Sequence, residues 1–525
     1  MRVSWAAKVA AVWEAAQIEL NGLYSTHRVL ALAAYASHTS LSRAVFVSAA
    51  TPLPCLVITT IVDLPHLRPV SEGLQANQLF VARAVVAFWV AGMLVTHQLR
   101  HNMPSLPLSN AQIVGNNLVT AILTVSVWYA LALAIGFPLP FGIVTVSPAW
   151  VAFLLLPIAK WLHKVRSDPE AWPLVVNSLK IWVCQELLVV IYPTYFYLFT
   201  VVPAAAKSSF ALLLPVIKLV LRNVVSQTIV HLHDEIPEVV TLNVEVFNAL
   251  FVSYCMQNSP SLWTTCGLMV IDAIQMSLSM RDVGLVVERL KVLRRQVAPA
   301  SSRQLTGGPS TSPTNECHIK TLIELAQEIL ERQRRSWILP TSLSSRKVSP
   351  LVPQTSRSGS KQNARRPAAQ LGRSHRLLRL TIIDKGFSGP RSSLAELELQ
   401  YVRELRRVLY ITEFVVLLNY VEVVVPLIFS AYLVTMYHLP NREYYEHLAQ
   451  MDASQLHQTL LNVLLYCSLQ LGSLLILNLV LWHKMRLSAV RQLAFVLEKQ
   501  WDQVQGKLLF WVFYNVQASL QHFGE

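Results

Sequence analysis

Long apolar runs alternate with short polar segments over most of the 525-residue chain. A helix needs about 20 apolar residues to cross the hydrocarbon core of a bilayer. The clear runs predict eight spans, at 44–63, 79–97, 113–136, 141–159, 181–203, 262–280, 411–437 and 458–482. Two weaker runs, 209–231 and 239–257, contain charged or amide side chains. We therefore expect an all-α, polytopic transmembrane helical bundle with eight to ten spans.

A long hydrophilic insert, residues 281–410, separates a first membrane block at 44–280 from the two spans of 411–482. The insert has 24 Lys and Arg against 10 Asp and Glu, which accounts for the whole net charge of +14. Positively charged loops are retained on the cytosolic side of a membrane. The pattern therefore predicts a cytosolic insert, and an even number of spans then places both termini in the cytosol.

The insert is predicted to be mostly disordered, with two short helices. Apolar residues at helical spacing predict helices near 318–335 and 393–410. The rest is rich in Ser, Pro, Gly and Arg and predicts disorder. Its cations favour anionic lipids of the inner leaflet, with topology and solubility as the alternative role. Ser349, between basic residues and a proline, is a candidate phosphorylation switch for membrane attachment. Nucleic-acid binding is not expected, because the arginines are not interleaved with aromatic residues.

The two flanking segments, residues 1–43 and 483–525, are predicted to be cytosolic and amphipathic. The first has a candidate membrane-facing set of apolar residues at helical spacing. The members of this set are Trp5, Val9, Val12, Trp13 and Ile18. A mitochondrial presequence is the alternative, although Glu14 and Glu19 argue against it.

Composition supports the membrane class and offers no sign of catalysis. Hydrophobic residues make up 53% of the chain and charged residues only 14%, against about 25% in soluble domains. The six cysteines lack paired spacing, and no phosphate-binding loop, dinucleotide fingerprint, zinc-protease motif or serine elbow occurs. His231, His233 and Asp234 form a possible metal cluster, but no second group of ligands accompanies them. We predict no metal site and no cofactor. No catalytic motif is found, and an intramembrane enzyme stays the alternative to a non-enzymatic protein, because active sites within a membrane can lack the motifs of soluble enzymes.

Polar residues within the predicted spans are the candidates for chemistry, because ionisable groups are costly in hydrocarbon. The candidates for a substrate or ion pathway are Glu422, Glu186, Glu245, Asp272, Asn243, Asn248, Arg83, Lys218 and Arg222. Glu422 precedes Pro426 by four residues, so proline leaves the carbonyl of residue 422 free beside its own carboxylate. Such oxygens can bind a cation or a proton.

Helical spacing also predicts ion pairs between two of the spans. Lys218 and Arg222 lie one turn apart, and Glu245 lies on a polar stripe of the next helix. If the two helices are antiparallel neighbours, the cations can pair with Glu245 or Asp272. These charges then either line a transport pathway or simply hold two marginal helices together.

One stretch resembles a known group of sequences. Residues 238–290, EVVTLNVEVFNALFVSYCMQNSPSLWTTCGLMVIDAIQMSLSMRDVGLVVERL, resemble a segment of large uncharacterised families of multi-spanning membrane proteins in oomycetes. The resemblance implies the architecture and carries no activity. The leading hypothesis is a transporter or channel-like protein whose embedded acids line a polar pathway. The alternative is a receptor or scaffold whose basic insert binds anionic lipid or protein partners.

Overall fold

The computed structural model is almost entirely helical. It describes residues 18, 22–103, 105–169, 171–203, 210, 213–229, 234–258, 270, 274, 277–278, 280–281, 283–297, 322–338 and 390–524. Within these ranges the only β-type pairing is an isolated bridge between Tyr445 and Leu520. The expected all-α class is therefore confirmed for the described part of the chain.

Fourteen helices of the described residues organise the fold. In chain order they are α1 (Thr26–His38), α2 (Leu41–Asp63), α3 (Gln78–Asn102), α4 (Asn110–Ile135), α5 (Gly142–Val165), α6 (Ala171–Val201), α7 (Leu214–Thr228), α8 (236–258), α9 (283–297), α10 (Leu322–Ile338), α11 (Pro390–His438), α12 (Ala453–Met485), α13 (Ala489–Lys499) and α14 (Trp501–Ala518). Capping boxes at Ser109 and Asp452 satisfy backbone N–H groups at the starts of α4 and α12. Local sequence signals thus set these two helix starts.

Eight helices are long and apolar enough to cross a membrane, which is consistent with an integral membrane protein. They are α2, α3, α4, α5, α6, α8, α11 and α12. Large apolar side chains lie on the outer surface, among them Phe46, Val183 and Leu479, each at least 65% exposed. So much exposed apolar surface fits contact with lipid and not with water.

Two of the eight helices form the centre of the bundle. The apolar windows of α8 and α11 are 94% and 83% buried, whereas those of the other six are at most 44% buried. In α8, residues Thr241–Glu245 form a π-helical turn. A π-helical turn inside an α-helix is often found at a functional site. The acids and amides of these two helices are therefore enclosed by other helices.

The bundle has two ends that the connections define. At the insert end lie α1, α10 and residues 396–410 of α11, where the Tyr401 hydroxyl donates to the Leu322 carbonyl at 2.8 Å and Tyr24 N donates to Arg406 O at 3.3 Å. At the far end lie the connections 64–77, 136–141 and 439–452, each of which joins two helices that run in opposite directions.

Helix α14 runs from the insert end to the far end. Near its start, Asp502 lies 3.8 Å from His97, close to the insert end of α3. Beyond its last turn, His522 Nε2 lies 2.8 Å from the Arg68 carbonyl, and Phe141 N donates to Gly524 O at 3.2 Å. Eighteen helical residues span about 27 Å, close to the thickness of a hydrocarbon core.

This placement differs from the expected tail, in which residues 483–525 lie on the same side as residues 1–43. The contacts put residues 520–524 at the end opposite to α1. The sequence predicts a surface tail because α14 contains Lys507 and several glutamines, which are residue types common on protein surfaces. In the fold Lys507 is buried, with its Nζ 2.6 Å from Glu238 Oε1.

Other differences concern helix bounds. The weak span 209–231 is the 15-residue helix α7, which is too short to count among the eight. The insert helix near 393–410 runs into the span 411–437, as the sequence predicts, and the two form one continuous helix, α11. Residues 1–17 lie outside the described part, as does most of the span 262–280.

Candidate functional site

The predicted cations of α7 form a buried ion cluster with acids from α8 and α11. Lys218 Nζ lies 2.7 Å from Glu245 Oε2 and 3.2 Å from Glu422 Oε1. Arg222 Nε donates to Glu245 Oε1. All four residues are at most 7% exposed. The pairing predicted from helical spacing is therefore present, with Glu422 as an additional partner.

This first cluster contains two cations and two anions, so its formal charges cancel. The carboxylate of Glu422 was expected to bind a cation or a proton beside Pro426. In the structure this carboxylate already pairs with Lys218. Removing one member of a buried ion pair leaves an uncompensated charge, which is strongly destabilising. The arrangement joins α7 to the two central helices.

The amides of α8 take part in a separate polar contact. Asn243 Oδ1 accepts a hydrogen bond from Gln185 Nε2 at 2.8 Å and one from Trp511 Nε1 at 3.3 Å. These bonds connect the π-helical turn of α8 to α6 and α14. Asn248, one further turn along α8, is also buried at 8% exposure.

Arg83 belongs to a second cluster, at the far end. Its guanidinium pairs with Asp63, and its Nη2 donates to the Tyr445 hydroxyl at 2.9 Å. Its Nε donates to Gln517 Oε1 at 3.1 Å. The hydroxyl of Tyr432 also donates to Asp63, at 3.0 Å. Arg83 thus fastens the end of α14 to α2, α3 and the 439–452 connection.

Two more buried clusters were missed by sequence reasoning. Lys507 of α14 pairs with Glu238 of α8. Arg28 of α1 pairs with Glu413 of α11 at 2.7 Å, and the Tyr24 hydroxyl donates to the same carboxylate. Helical spacing could not find these pairs, because their partners lie hundreds of residues apart.

The cluster at the insert end also perturbs titration outside the spans. Burial raises the pKa of Tyr24 well above its ordinary value, and the Glu413 carboxylate adds to the effect. Burial alone lowers the pKa of Arg28, but the same carboxylate more than offsets it, so the net pKa is raised. Tyr24 therefore stays neutral and Arg28 stays charged, which preserves the ion pair.

Glu186 differs from every acid in these four clusters. It lies on α6, is partly buried, and has no basic partner among the described residues. Each acid of the four clusters has a basic partner, whereas Glu186 has no basic side chain beside it among the described residues.

Glu186 lines a cavity that we call the far-end chamber. Its volume is about 70 Å³, and α3, α5, α6, α14 and Phe523 form its walls. The walls are mostly aromatic or aliphatic, and Ser147, Tyr514 and Gln517 are the other polar side chains. The chamber therefore combines one carboxyl group with apolar surroundings.

A second cavity, the insert-end chamber, lies further along α14. Its volume is about 200 Å³, and α2, α3, α6 and α14 form its walls. Polar side chains are more frequent here and include His97, Gln98, Gln185, Asp502 and Lys507. Neighbouring residues of α6 thus face different chambers, since Gln185 lines this one and Glu186 lines the other.

The two chambers meet at one pair of side chains. Leu94 of α3 and Phe510 of α14 line both cavities. Apolar side chains at a constriction can close a polar path by excluding water. The two cavities thus lie one after the other along α14, with Leu94 and Phe510 in the lining of both.

Some predicted candidates lie outside the described residues. They are Asp272, Ser349, His231 and His233. Asp234 is described, and its Oδ1 accepts a hydrogen bond from Ser25 N at 2.7 Å. Within the described part, no group of three or more His, Cys, Asp or Glu residues could hold a metal ion.

Comparisons with protein-family models, with curated proteins and with solved structures found no match.

Proposed function

We propose that the protein is a membrane transport protein in which a small solute or ion passes along α14 through the two chambers. The observation that carries this proposal is that both cavities share Leu94 and Phe510 as lining residues. Transport proteins bind their cargo in polar sites inside a bundle of spanning helices. The chambers lie beside a helix that extends from one end of the bundle to the other.

The proposal assigns different roles to the embedded charges. The four neutral clusters hold the bundle together, and Glu186 contacts the cargo. The basic insert then lies in the cytosol by the positive-inside rule. The insert-end chamber accordingly faces the cytosol, and residues 520–524 face the opposite compartment.

The test is flux through proteoliposomes that contain the full-length protein. Replacing both Leu94 and Phe510 with alanine removes the constriction, and we expect ion or solute flux under imposed salt and pH gradients to rise several-fold. Leu94→Trp should lower the flux. Phe46→Ala is the matched control, because Phe46 lies on the outer surface at 72% exposure. Equal flux in the wild type and all three variants contradicts transport along this path.

A second candidate function is a receptor or scaffold, and one observation favours it. Helix α10 of the insert packs on the first part of α11, where Arg332 Nη1 lies 3.1 Å from Glu398 Oε1. Since α11 continues into the bundle as Pro390–His438, an event at the insert has a direct mechanical connection to the core. This candidate predicts that deletion of residues 341–389 abolishes binding to vesicles containing phosphatidylserine. Undiminished binding would falsify it.

A further inference from the structure

We propose that the far-end chamber is a binding site for a small organic ammonium ion, with the Glu186 carboxylate as its anionic partner. This inference rests on the proposed function and names the class of cargo. It follows from the charge balance of the bundle, the walls of the chamber and its size.

The charge balance indicates a missing cation. Asp63, Glu238 and Glu413 each have one basic partner, and Glu245 and Glu422 share Lys218 and Arg222. An isolated carboxylate in a low-dielectric interior is costly, so a buried carboxyl either stays protonated or pairs with a cation. At Glu186 the described chain supplies no cation. A cationic ligand completes the pattern that the four clusters establish.

The walls favour an organic cation over a metal ion. Metal cations such as Ca²⁺ need six to eight oxygen ligands, and the chamber offers one carboxyl group and few other oxygen atoms. Aromatic rings attract ammonium groups through their negative faces. The rings of Phe88, Trp150, Phe513 and Tyr514 line the same cavity as Glu186.

The volume restricts the ligand to a small one. One water needs about 10–15 Å³ of such cavity volume, so a cavity of about 70 Å³ holds about five to seven waters or a ligand of similar size. Methylammonium and ethylammonium have two and three non-hydrogen atoms and meet this limit. Tetraethylammonium, with nine, exceeds it.

The experiment measures binding of radiolabelled methylammonium to the purified full-length protein at pH 8. We expect saturable binding that excess ethylammonium displaces and that tetraethylammonium does not. In Glu186→Gln the affinity should fall about tenfold or more, because a hydrogen bond to a charged group is lost. The matched control is Glu288→Gln, since the Glu288 side chain is 63% exposed.

A second variant keeps the test decisive if Glu186→Gln does not fold. Ser147→Phe fills the chamber from α5 and leaves the carboxyl in place, and it should abolish binding. Absence of methylammonium binding to the folded wild type overturns the inference. So does unchanged affinity in both variants. If widening at Leu94 and Phe510 raises flux while methylammonium does not bind, the transport proposal stands and only the cargo class is wrong.

Discussion

Two regions of the bundle use glutamate in opposite ways. In the α7–α8–α11 cluster, Glu245 and Glu422 are enclosed and contact two basic side chains. In the far-end chamber, Glu186 is partly buried beside mostly apolar walls and has no basic partner among the described residues. An embedded charge is therefore a functional candidate only where no neighbouring side chain balances it. A charged residue within a span does not by itself indicate a functional site.

The arrangement of the two chambers requires that the two ends of α14 lie at opposite faces of the membrane. Labelling from each side tests this requirement with an all-or-none result. In a cysteine-free background, a cysteine at position 521 should react with an impermeant maleimide from the same side as one at position 450. A cysteine at position 40 should react only from the opposite side. Reaction of positions 40 and 521 from one side contradicts the crossing of α14.

The next prediction concerns the contribution of the α7–α8–α11 cluster to the stability of the fold. Glu245→Gln leaves Lys218 and Arg222 with Glu422 as the one remaining acid of the buried cluster, so the free energy of unfolding should fall by about 3–5 kcal/mol. Thermal unfolding of the purified protein measures this loss. The neutral double variant Arg222→Met/Glu245→Gln keeps the Lys218–Glu422 pair and should regain part of it. Wild-type stability in Glu245→Gln, together with lost flux, assigns Glu245 to the pathway instead.

Local periodicity explains what the sequence could predict. The one-turn spacing of Lys218 and Arg222 puts both on one face of a helix, and the adjacent helix supplies Glu245 within 30 residues. The apolar runs likewise predict most spans to within a few residues of the observed helices. Such patterns depend on neighbours in the chain, which a single sequence displays directly.

Tertiary partners explain what it could not predict. The pairs Arg28–Glu413 and Lys507–Glu238 join segments that are 385 and 269 residues apart. Lys507 lowers the hydropathy of α14 and makes a buried helix resemble a surface tail. The Asp63–Arg83 pair could have been predicted from the sequence, because the two residues lie near the same end of consecutive antiparallel helices.

His522 is a third kind of buried titratable group, because the fold buries it in its neutral form. His522 at the far end is enclosed by Phe80 and Tyr444, with ring centroids at 4.9 Å. Burial lowers its pKa to about 4, and the positive charge of Arg83 acts in the same direction. The ordinary pKa is about 6.5, so the unfolded chain binds a proton first as the pH falls.

The stabilisation from neutral His522 is therefore complete above pH 6.5 and is lost as the pH falls toward 4. Between pH 6.5 and 5 the loss should be about 2 kcal/mol. Thermal unfolding at these two pH values measures it in the wild type and in His522→Gln, which should lack this part of the pH dependence. His66→Gln, at an exposed site of the same end, is the control. Equal pH dependence in all three proteins contradicts the assignment.

The smallest expected effect on stability is at Glu186, and it separates the two regions most clearly. Glu186→Gln breaks no ion pair with the described residues and removes an unpaired carboxyl, so the free energy of unfolding should not fall. The affinity for methylammonium should nevertheless fall about tenfold or more, and flux should fall with it. Thermal unfolding of Glu186→Gln and Glu245→Gln, measured side by side, provides the comparison. A loss at Glu186 as large as that at Glu245 means that Glu186 also has a structural partner, and the distinction between the two regions then fails.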